Sequence, residues 1–398
     1  MKIAITGDFH FGFNEDALEQ ARRALIDAKG KADFVIAAGD LFDFRVPSQE
    51  VVHDAVRVFD EARDYGDAVV TVVDGGREKP GPSHVIAIYG THERRTKGLV
   101  NIIEILHAAG LLVNCHARKV FVEKDGERVC VQGMGGVPEE LAGRALKLME
   151  YQPEKGCFNI FIFHQSLTEI IPQDKDCISM ADLPNGFDLY VNGHIHWRHD
   201  LTEAGKHLLI PGSTVVTQMK KNEARPKGYY LFDSKTGNTE FVTVPTRPFH
   251  HQEISFTDAG LSEVEEKART ALEAIAESHA GQVPLVKLKL TGTLAPGLSN
   301  ANLDLSGLER NYSESMMLSI DRQIGAKDLK EKLEAVRRMR DEKKNAAEFG
   351  ITLLRERIAE KNIPESQLPS GALEPLFTAL SQSDTEKALE LLEPTEST

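Results

Sequence analysis

The chain is poor in the features that mark several common protein classes. It has only four cysteines, Cys115, Cys130, Cys157 and Cys177, and no C-x-x-C pair. That spacing offers no metal or redox pattern, so the thiols are expected as reduced core or near-surface groups. No run approaches the ~20 apolar residues that a bilayer span requires, which excludes a membrane partner of that kind. The opening MKIAITGDFH reads as a strand with a charged end and lacks the apolar length and cleavage site of a signal peptide. A cytoplasmic location is the default expectation. Positive charge is also scarce: 47 Lys and Arg stand against 61 Asp and Glu, for a net charge of −14. Coating nucleic acid by global electrostatics is therefore excluded. Local basic tracks remain: Arg94-Arg95-Thr96-Lys97, Lys220-Lys221 through Arg225 and Lys227, and Arg337-Arg338 through Lys344. The last has helical periodicity and reads first as a solvated helix face.

What is present is an ordinary globular composition, 41% hydrophobic and 27% charged, on 398 residues. That length predicts two or three domains. Over the first ~245 residues, short apolar runs alternate with amphipathic patterns. Strands are expected at Lys2–Thr6, Phe34–Ala38, Ala68–Val73, Val85–Tyr89, Val129–Gln132, Asn159–Phe163, Leu189–Val191 and His207–Ile210. Helices are expected at Glu15–Ala28, Gln49–Tyr65 and Leu99–Ala109. The pattern implies an α/β domain with partly parallel pairing. The Gly- and Pro-rich Asp74–His84 reads as a loop. Pro245–Pro248 closes the domain, giving boundaries at 1–247 and then 248–325 for a small α+β module. The module holds strands at His251–Phe256, Val283–Thr291 and Ser315–Ile320 and a helix at Leu261–Ser278. A charged helical segment (326–362), a linker (363–371) and a last amphipathic helix (Glu374–Leu392, within 372–398) follow. A terminal helix behind a linker suits docking to a partner.

Five strand ends in the first domain stop at turns carrying His or Asp. They are Gly7-Asp8-Phe9-His10, Gly39-Asp40-Leu41-Phe42-Asp43, Gly90-Thr91-His92-Glu93, His164-Gln165, and Asn192-Gly193-His194-Ile195-His196. In open α/β sheets, ligands bind beyond the carboxyl ends of the strands, so neighbouring ends would converge on one patch. A single such Asp is usually a turn residue and a lone His is usually structural; the repetition in this order argues for a site. Asp8, Asp40, His10, His164, His194 and His196, with His92 beside them, form a nitrogen and oxygen donor set without thiolate. Such a set suits Mn, Fe or Zn. It exceeds one tetrahedral site, which points to two metals bridged by a carboxylate, as in phosphatases and nucleases. The alternation in His194-Ile195-His196 would put both imidazoles on one side of an extended strand.

The ordered motifs D-x-H, G-D-x-x-D, G-x-H-E, H-Q and G-H-x-H resemble the calcineurin-like metallophosphoesterase superfamily over the first ~245 residues. Within it, Gly39-Asp40-Leu41-Phe42, Phe163-His164-Gln165, and Pro211-Gly212-Ser213-Thr214 followed by Lys227-Gly228-Tyr229 resemble the DNA double-strand-break repair nucleases of the meiotic-recombination-eleven and SbcD family. The resemblance implies a β-sandwich flanked by helices, then a DNA-capping domain and a helical C-terminal tail. It implies that Asp8, His10, Asp40 and His196 hold one ion, and that Asp40, His164 and His194 hold a second, with Mn²⁺ favoured. It makes His92 the catalytic imidazole facing the phosphate. Glu93 could orient it, Arg94 and Arg95 would line the DNA approach, and Gln165 would support the site. It implies exonuclease and endonuclease activity in DNA repair, an SMC-like coiled-coil ATPase partner, and a homodimer through helices such as Gln49–Tyr65 and Leu99–Ala109.

Two positions depart from the pattern. Thr91 stands where superfamily members carry an Asn that ligates the second ion, and a hydroxyl is the poorer ligand. Asp43 stands where break-repair members often carry His, which alters the contact with substrate or metal. The alternatives are a small-molecule or phosphoprotein phosphoesterase and a non-enzymatic scaffold for the ATPase. Against the phosphoprotein reading, Phe44 and Arg45 follow Asp43, so G-D-x-x-D-R-G is absent.

Overall fold

The computed structural model describes residues 1–63, 66–96, 98–172, 177–279, 281–326, 351, 354–355, 358, 373–381 and 384–391. These fall into two compact units. One comprises Met1–Gln252, Ala274–Leu288 and Glu309–Ser319; the other comprises Glu253–Glu273, Lys289–Leu308 and Ile320–Thr398.

The first unit contains two large sheets. One runs in the order Thr239–Thr243, Gly228–Asp233, Lys2–Thr6, Phe34–Ala37, Val85–Ala87, Val113–Asn114. The other runs His199–Glu203, Lys206–Ile210, Leu189–Asn192, Phe158–Phe163, Glu127–Met134, Lys119–Lys124, Val69–Asp74, Arg77–Pro80. Period-two alternation explains how they stack. Ile3, Ile5, Phe34, Ile36 and Ile86 of the first sheet share one buried core with Val70, Val122, Val131, Ile160, Ile162 and Val191 of the second. Ala4, Val35, Ala37 and Val85 face the opposite way, onto Ala21, Leu25, Val58, Phe59, Ile103 and Leu106 of the helices Glu15–Lys29, Gln49–Ala62 and Ile102–Ala108. Phe161, Phe163 and Tyr190 do the same on the outer face of the second sheet, against Ala142 and Leu146 of the helix Glu139–Met149. The result is a helix-flanked sandwich, the architecture that the sequence implied.

The central strands of both sheets are parallel, and this positions the site. Lys2–Thr6 pairs in parallel with Phe34–Ala37, and Phe34–Ala37 with Val85–Ala87. Phe158–Phe163 pairs in parallel with both Glu127–Met134 and Leu189–Asn192. Their carboxyl ends therefore deliver Asp8, Asp40, Thr91, His164 and His194 to the same edge of the sandwich.

Three expectations need correction. Asp74–His84 is not all loop: Arg77–Pro80 is an exposed edge strand on Val69–Asp74. Gly75 and Gly76, at φ +56° and +77°, make the tight turn that joins them, so the glycines mark a hairpin. His194 and His196 lie beyond the strand Leu189–Asn192, and His194 has φ +71°, so no extended strand carries both. Thirdly, Glu374–Leu392 is two helices, Leu373–Ser381 and Thr385–Glu390, because Asp384 accepts a hydrogen bond from Lys387 N–H and starts the second.

A third sheet contains Phe249–Ala259, Leu285–Leu294 and Met317–Ala326, and the helix Leu261–Ser278 falls where the sequence predicts. In the tail, Leu376, Ala379 and Ala388 bury together beside Leu354 and Leu391, while Leu380 and Leu389 stay exposed. The linker at 363–371, Arg337 to Lys344 and nearly all of the charged segment 326–362 lie outside the described residues. Among the described residues, no helix is long and apolar enough to cross a membrane.

Candidate metal centre

Three of the five strand ends enter the site through a backbone turn that side chains ordinarily resist. Asp8, His10, Asp40 and His194 all have positive φ, at +50°, +52°, +46° and +71°. Left-handed conformations cost about 1–2 kcal/mol each in L-residues, so four together concentrate strain on one small patch. The turns support one another. Asp8 N–H donates to the Gly39 carbonyl at 2.9 Å and His10 N–H to the Asp40 carbonyl at 3.1 Å. The sheets meet at Gly193, where a Cβ would fall 2.1 Å from the Ala38 carbonyl oxygen and 2.6 Å from His164 Nδ1. Only glycine permits that approach.

Among the described residues, the side chains gather into three ligand groups: the two described next, and a third of His10, Asp43 and His92 that shares His10 with the first. Asp8, His10 and His196 each place one donor atom within 4.8 Å of the others, and so do Asp40, His164 and His194. In the first group, His10 Nε2 and His196 Nε2 face each other at 3.3 Å, and His196 Nε2 lies 4.0 Å from Asp8 Oδ1. In the second, His164 Nε2 lies 3.0 Å from Asp40 Oδ2. The far sides of the rings are held by the protein. His164 Nδ1 donates to the Ala38 carbonyl at 2.7 Å, His196 Nδ1 meets Thr217 Oγ1 at 2.6 Å, and His10 Nδ1 meets Asp43 Oδ1 at 3.0 Å. The Nε2 atoms of these three are left to converge, the arrangement by which outer partners fix metal-binding imidazoles.

Two of the imidazoles are already in the form that binds a metal, while His164 and Asp8 would have to give up a proton to an ion. Burial pushes His194 down to about 4, with the charge of His164 adding to it, and pushes His196 down to about 2, so both imidazoles are neutral. Burial alone would raise Asp40; the His164 imidazolium beside it reverses this and holds the carboxyl well below the usual range. Burial alone would lower His164, and Asp40 instead lifts it to about 10. Asp8 is pushed up to about 7 by burial.

His92 stands beside both groups. Its N–H donates to Asp40 Oδ1 at 2.8 Å, and its Nδ1 donates to the Asp43 carbonyl at 2.8 Å. Nε2 thereby turns inward, 4.0 Å from Asp40 Oδ2. Asp43 serves two rings at once, with Oδ1 3.5 Å from His92 Nδ1 as well as 3.0 Å from His10 Nδ1. Thr91 Oγ1 donates to Asp40 Oδ2 at 3.2 Å. Glu93 does not orient the His92 ring. It is fully buried and accepts from Phe42 N–H at 2.7 Å and Gly90 N–H at 2.6 Å, so it ties two site turns together.

Other residues sort less simply. Gln165 is fully buried, with Nε2 donating to the Val137 carbonyl at 3.2 Å, so it supports the site from within. Arg94 and Arg95 line a cavity of ≈ 390 Å³ with Tyr89, Asn101, His116 and Arg118. Lys227 cannot belong to a basic DNA track: it is buried, and Nζ donates to the His196 carbonyl and to Ser213 Oγ, both at 2.9 Å. Sequence reasoning missed Glu139, whose Oε1 accepts from Ser166 N–H at 3.1 Å and lies 3.6 Å from His194 Nε2. Only the Gly-Gly-Val-Pro punctuation before it hinted at a special turn.

That turn is pinned by His116, whose Nδ1 accepts from Gly135 N–H at 3.0 Å. Burial, with Arg118 adding, pushes His116 from 6.5 down to about 4. The unfolded chain therefore takes this proton first as pH falls. His116 contributes its full stability above pH ~6.5 and loses it between there and pH ~4, about 2 kcal/mol of it by pH 5. Urea unfolding of wild type and His116→Gln at pH 7 and pH 5 should show that much less acid destabilisation in the variant. Equal losses would contradict the assignment.

Two divalent ions fit this centre. Asp8 Oδ2 is buried with no hydrogen-bond partner, the neutral imidazoles present lone pairs, and the donors are all nitrogen and oxygen. A family model for calcineurin-like phosphoesterase matches residues 1–198. The DNA double-strand break repair protein Mre11 of Methanopyrus kandleri is 25% identical over 321 residues, covering 73% of this chain and 65% of that protein. The double-strand break repair protein MRE11 of Homo sapiens is 24% identical over 366 residues, covering 73% of this chain and 50% of that one. The chain thus spans about half to two thirds of these relatives. A solved archaeal phosphodiesterase overlaps 61% of this chain and all of its own, at 13% identity and a TM-score of 0.31.

Proposed function

We propose, from the premise that the chain belongs through residues 1–198 to the calcineurin-like phosphoesterase family, that it is a divalent-metal-dependent nuclease hydrolysing DNA phosphodiesters at broken ends. The observation that carries this reading is the pair of ligand groups with His92 Nε2 turned towards Asp40 beside them. The curated relatives supply the substrate class, since their names are those of double-strand break repair proteins. Asp8, His10, Asp40 and His196 would hold one ion, and Asp40, His164 and His194 the other, with Mn²⁺ favoured. Bound ions supply a nucleophile at neutral pH and neutralise the phosphoryl group under attack.

The chain's own residues do the rest. Asp40 holds both halves of the centre in register through His92 N–H, Thr91 Oγ1 and His164. His92, with Nδ1–H committed to Asp43, offers Nε2 to the substrate; in its cationic form Nε2–H donates to the phosphate or the leaving oxygen. Arg94 and Arg95 meet the DNA backbone beside it. Residues 248–325 act as the DNA-capping domain. The exposed Leu380 and Leu389 of the tail dock on an SMC-like ATPase. A homodimer forms through the helices Gln49–Ala62 and Ile102–Ala108, near which Leu99, Val100 and Ile105 are 56%, 60% and 50% exposed.

Incubation of linear duplex DNA and p-nitrophenyl phosphate with Mn²⁺ and with EDTA tests the reading. Degradation of DNA with Mn²⁺ but not with EDTA is expected. Turnover of the monoester without degradation of DNA would replace it with a small-molecule phosphoesterase. Thr91 gives a further expectation. Its hydroxyl already donates to Asp40, so Mn²⁺ activation should be biphasic, and Thr91→Asn should tighten the weaker phase about tenfold, the low end of what changes around metal ligands produce. An unchanged metal dependence in that variant would contradict it.

A further inference from the structure

We propose that Glu139 is a positioning residue for the second ion, acting through the His194 imidazole; the inference rests on the two-ion reading above. Its carboxylate opens the helix Glu139–Met149 and touches both segments that carry the second group's histidines. Oε1 lies 3.6 Å from His194 Nε2, and the same oxygen accepts from Ser166 N–H, two residues beyond His164, at 3.1 Å.

The segment before it is fixed in place. Gln165 Nε2 donates to the Val137 carbonyl at 3.2 Å, and Gly136 N–H donates to the Tyr89 carbonyl at 2.8 Å. A Cβ at Gly136 would fall 2.6 Å from the Gly90 carbonyl carbon and 2.8 Å from Thr91 N. The turn that carries Glu139 therefore lies directly on the strand end that carries Thr91, and a glycine is what lets it lie there.

The charge balance gives this carboxylate a purpose. The second ligand group contains one acid, Asp40, which the first ion would share. Thr91, on the same strand end, is neutral and directs its hydroxyl to Asp40. Glu139 places a negative charge against Nε2 of the His194 ring, which leaves Nδ1 as the nitrogen for the ion. A carboxylate behind a metal-binding imidazole fixes the ring and raises its basicity, and losing it typically costs about 10–100-fold in metal affinity. At 3.6 Å from a neutral ring the contact is longer than a hydrogen bond, so the carboxylate acts on the imidazole as a nearby negative charge.

Glu139→Gln separates this role from simple support, because the amide oxygen still accepts from Ser166 while the charge is gone. Mn²⁺ binding to the full chain, read by the electron paramagnetic resonance of free Mn²⁺, should resolve two classes in wild type. In Glu139→Gln the tighter class should be unchanged and the weaker loosened about 10–100-fold. Glu139→Asp should recover part of that loss, and the metal-free melting temperature of Glu139→Gln should match wild type. Wild-type affinity in both classes of Glu139→Gln, or equal loosening of both, would overturn the inference. A wild-type chain that binds fewer than two ions would overturn the two-ion reading, and this inference with it.

Discussion

His92→Ala is expected to lose about 10²–10⁴-fold in Mn²⁺-dependent DNA hydrolysis, the usual contribution of a positioned acid or base, while keeping both ions. The fold makes little use of the side chain. Its ring is 39% exposed, its Nδ1 is committed to the Asp43 carbonyl, and its Nε2 faces the centre. What ties this residue to Asp40 is its backbone N–H, which alanine retains. Metal binding and melting temperature should therefore stay near wild type while the rate collapses. A rate within tenfold of wild type would remove His92 from the mechanism. Loss of metal together with activity would make it a ligand instead.

Asp40→Asn should be the more severe change: loosening of both Mn²⁺ classes by more than about 100-fold, and no measurable hydrolysis. On the proposed reading Asp40 is the carboxylate that both ions share. Burial works against its charge, yet His164 keeps it ionised. The amide has nearly the same shape and can still accept from His92 N–H, so the turn survives while the charge does not. Titration with Mn²⁺ would show both classes shifted together. A variant that loses only one class would mean that Asp40 does not bridge.

Much of this was legible along the chain because the signals are local. Apolar runs of four to six residues ending in Gly-Asp, His-Gln or Gly-His mark parallel strands and the ends that carry the candidate ligands, and most of those strands stand within a residue or two of expectation. Where reading failed, the deciding contact is distant in sequence or hidden in a turn. Glu93 looked like a partner for its neighbour His92, but burial turns it to Phe42 N–H, 51 residues away. Lys227 looked like part of a basic surface, and its Nζ instead caps carbonyl and hydroxyl oxygens behind His196. Glu139 carried only the hint of the turn before it, because its meaning comes from Ser166 and His194, which the fold brings to it. The hairpin at Arg77–Pro80 was hidden by the same glycines that form it.

The central claim is that two ions share one centre at the strand ends, and anomalous diffraction from crystals grown with Mn²⁺ tests it most directly. Two peaks are predicted, one among Asp8, His10 and His196 and one among Asp40, His164 and His194, with Asp40 reaching both. A single peak, or ions bound away from these residues, would contradict the account.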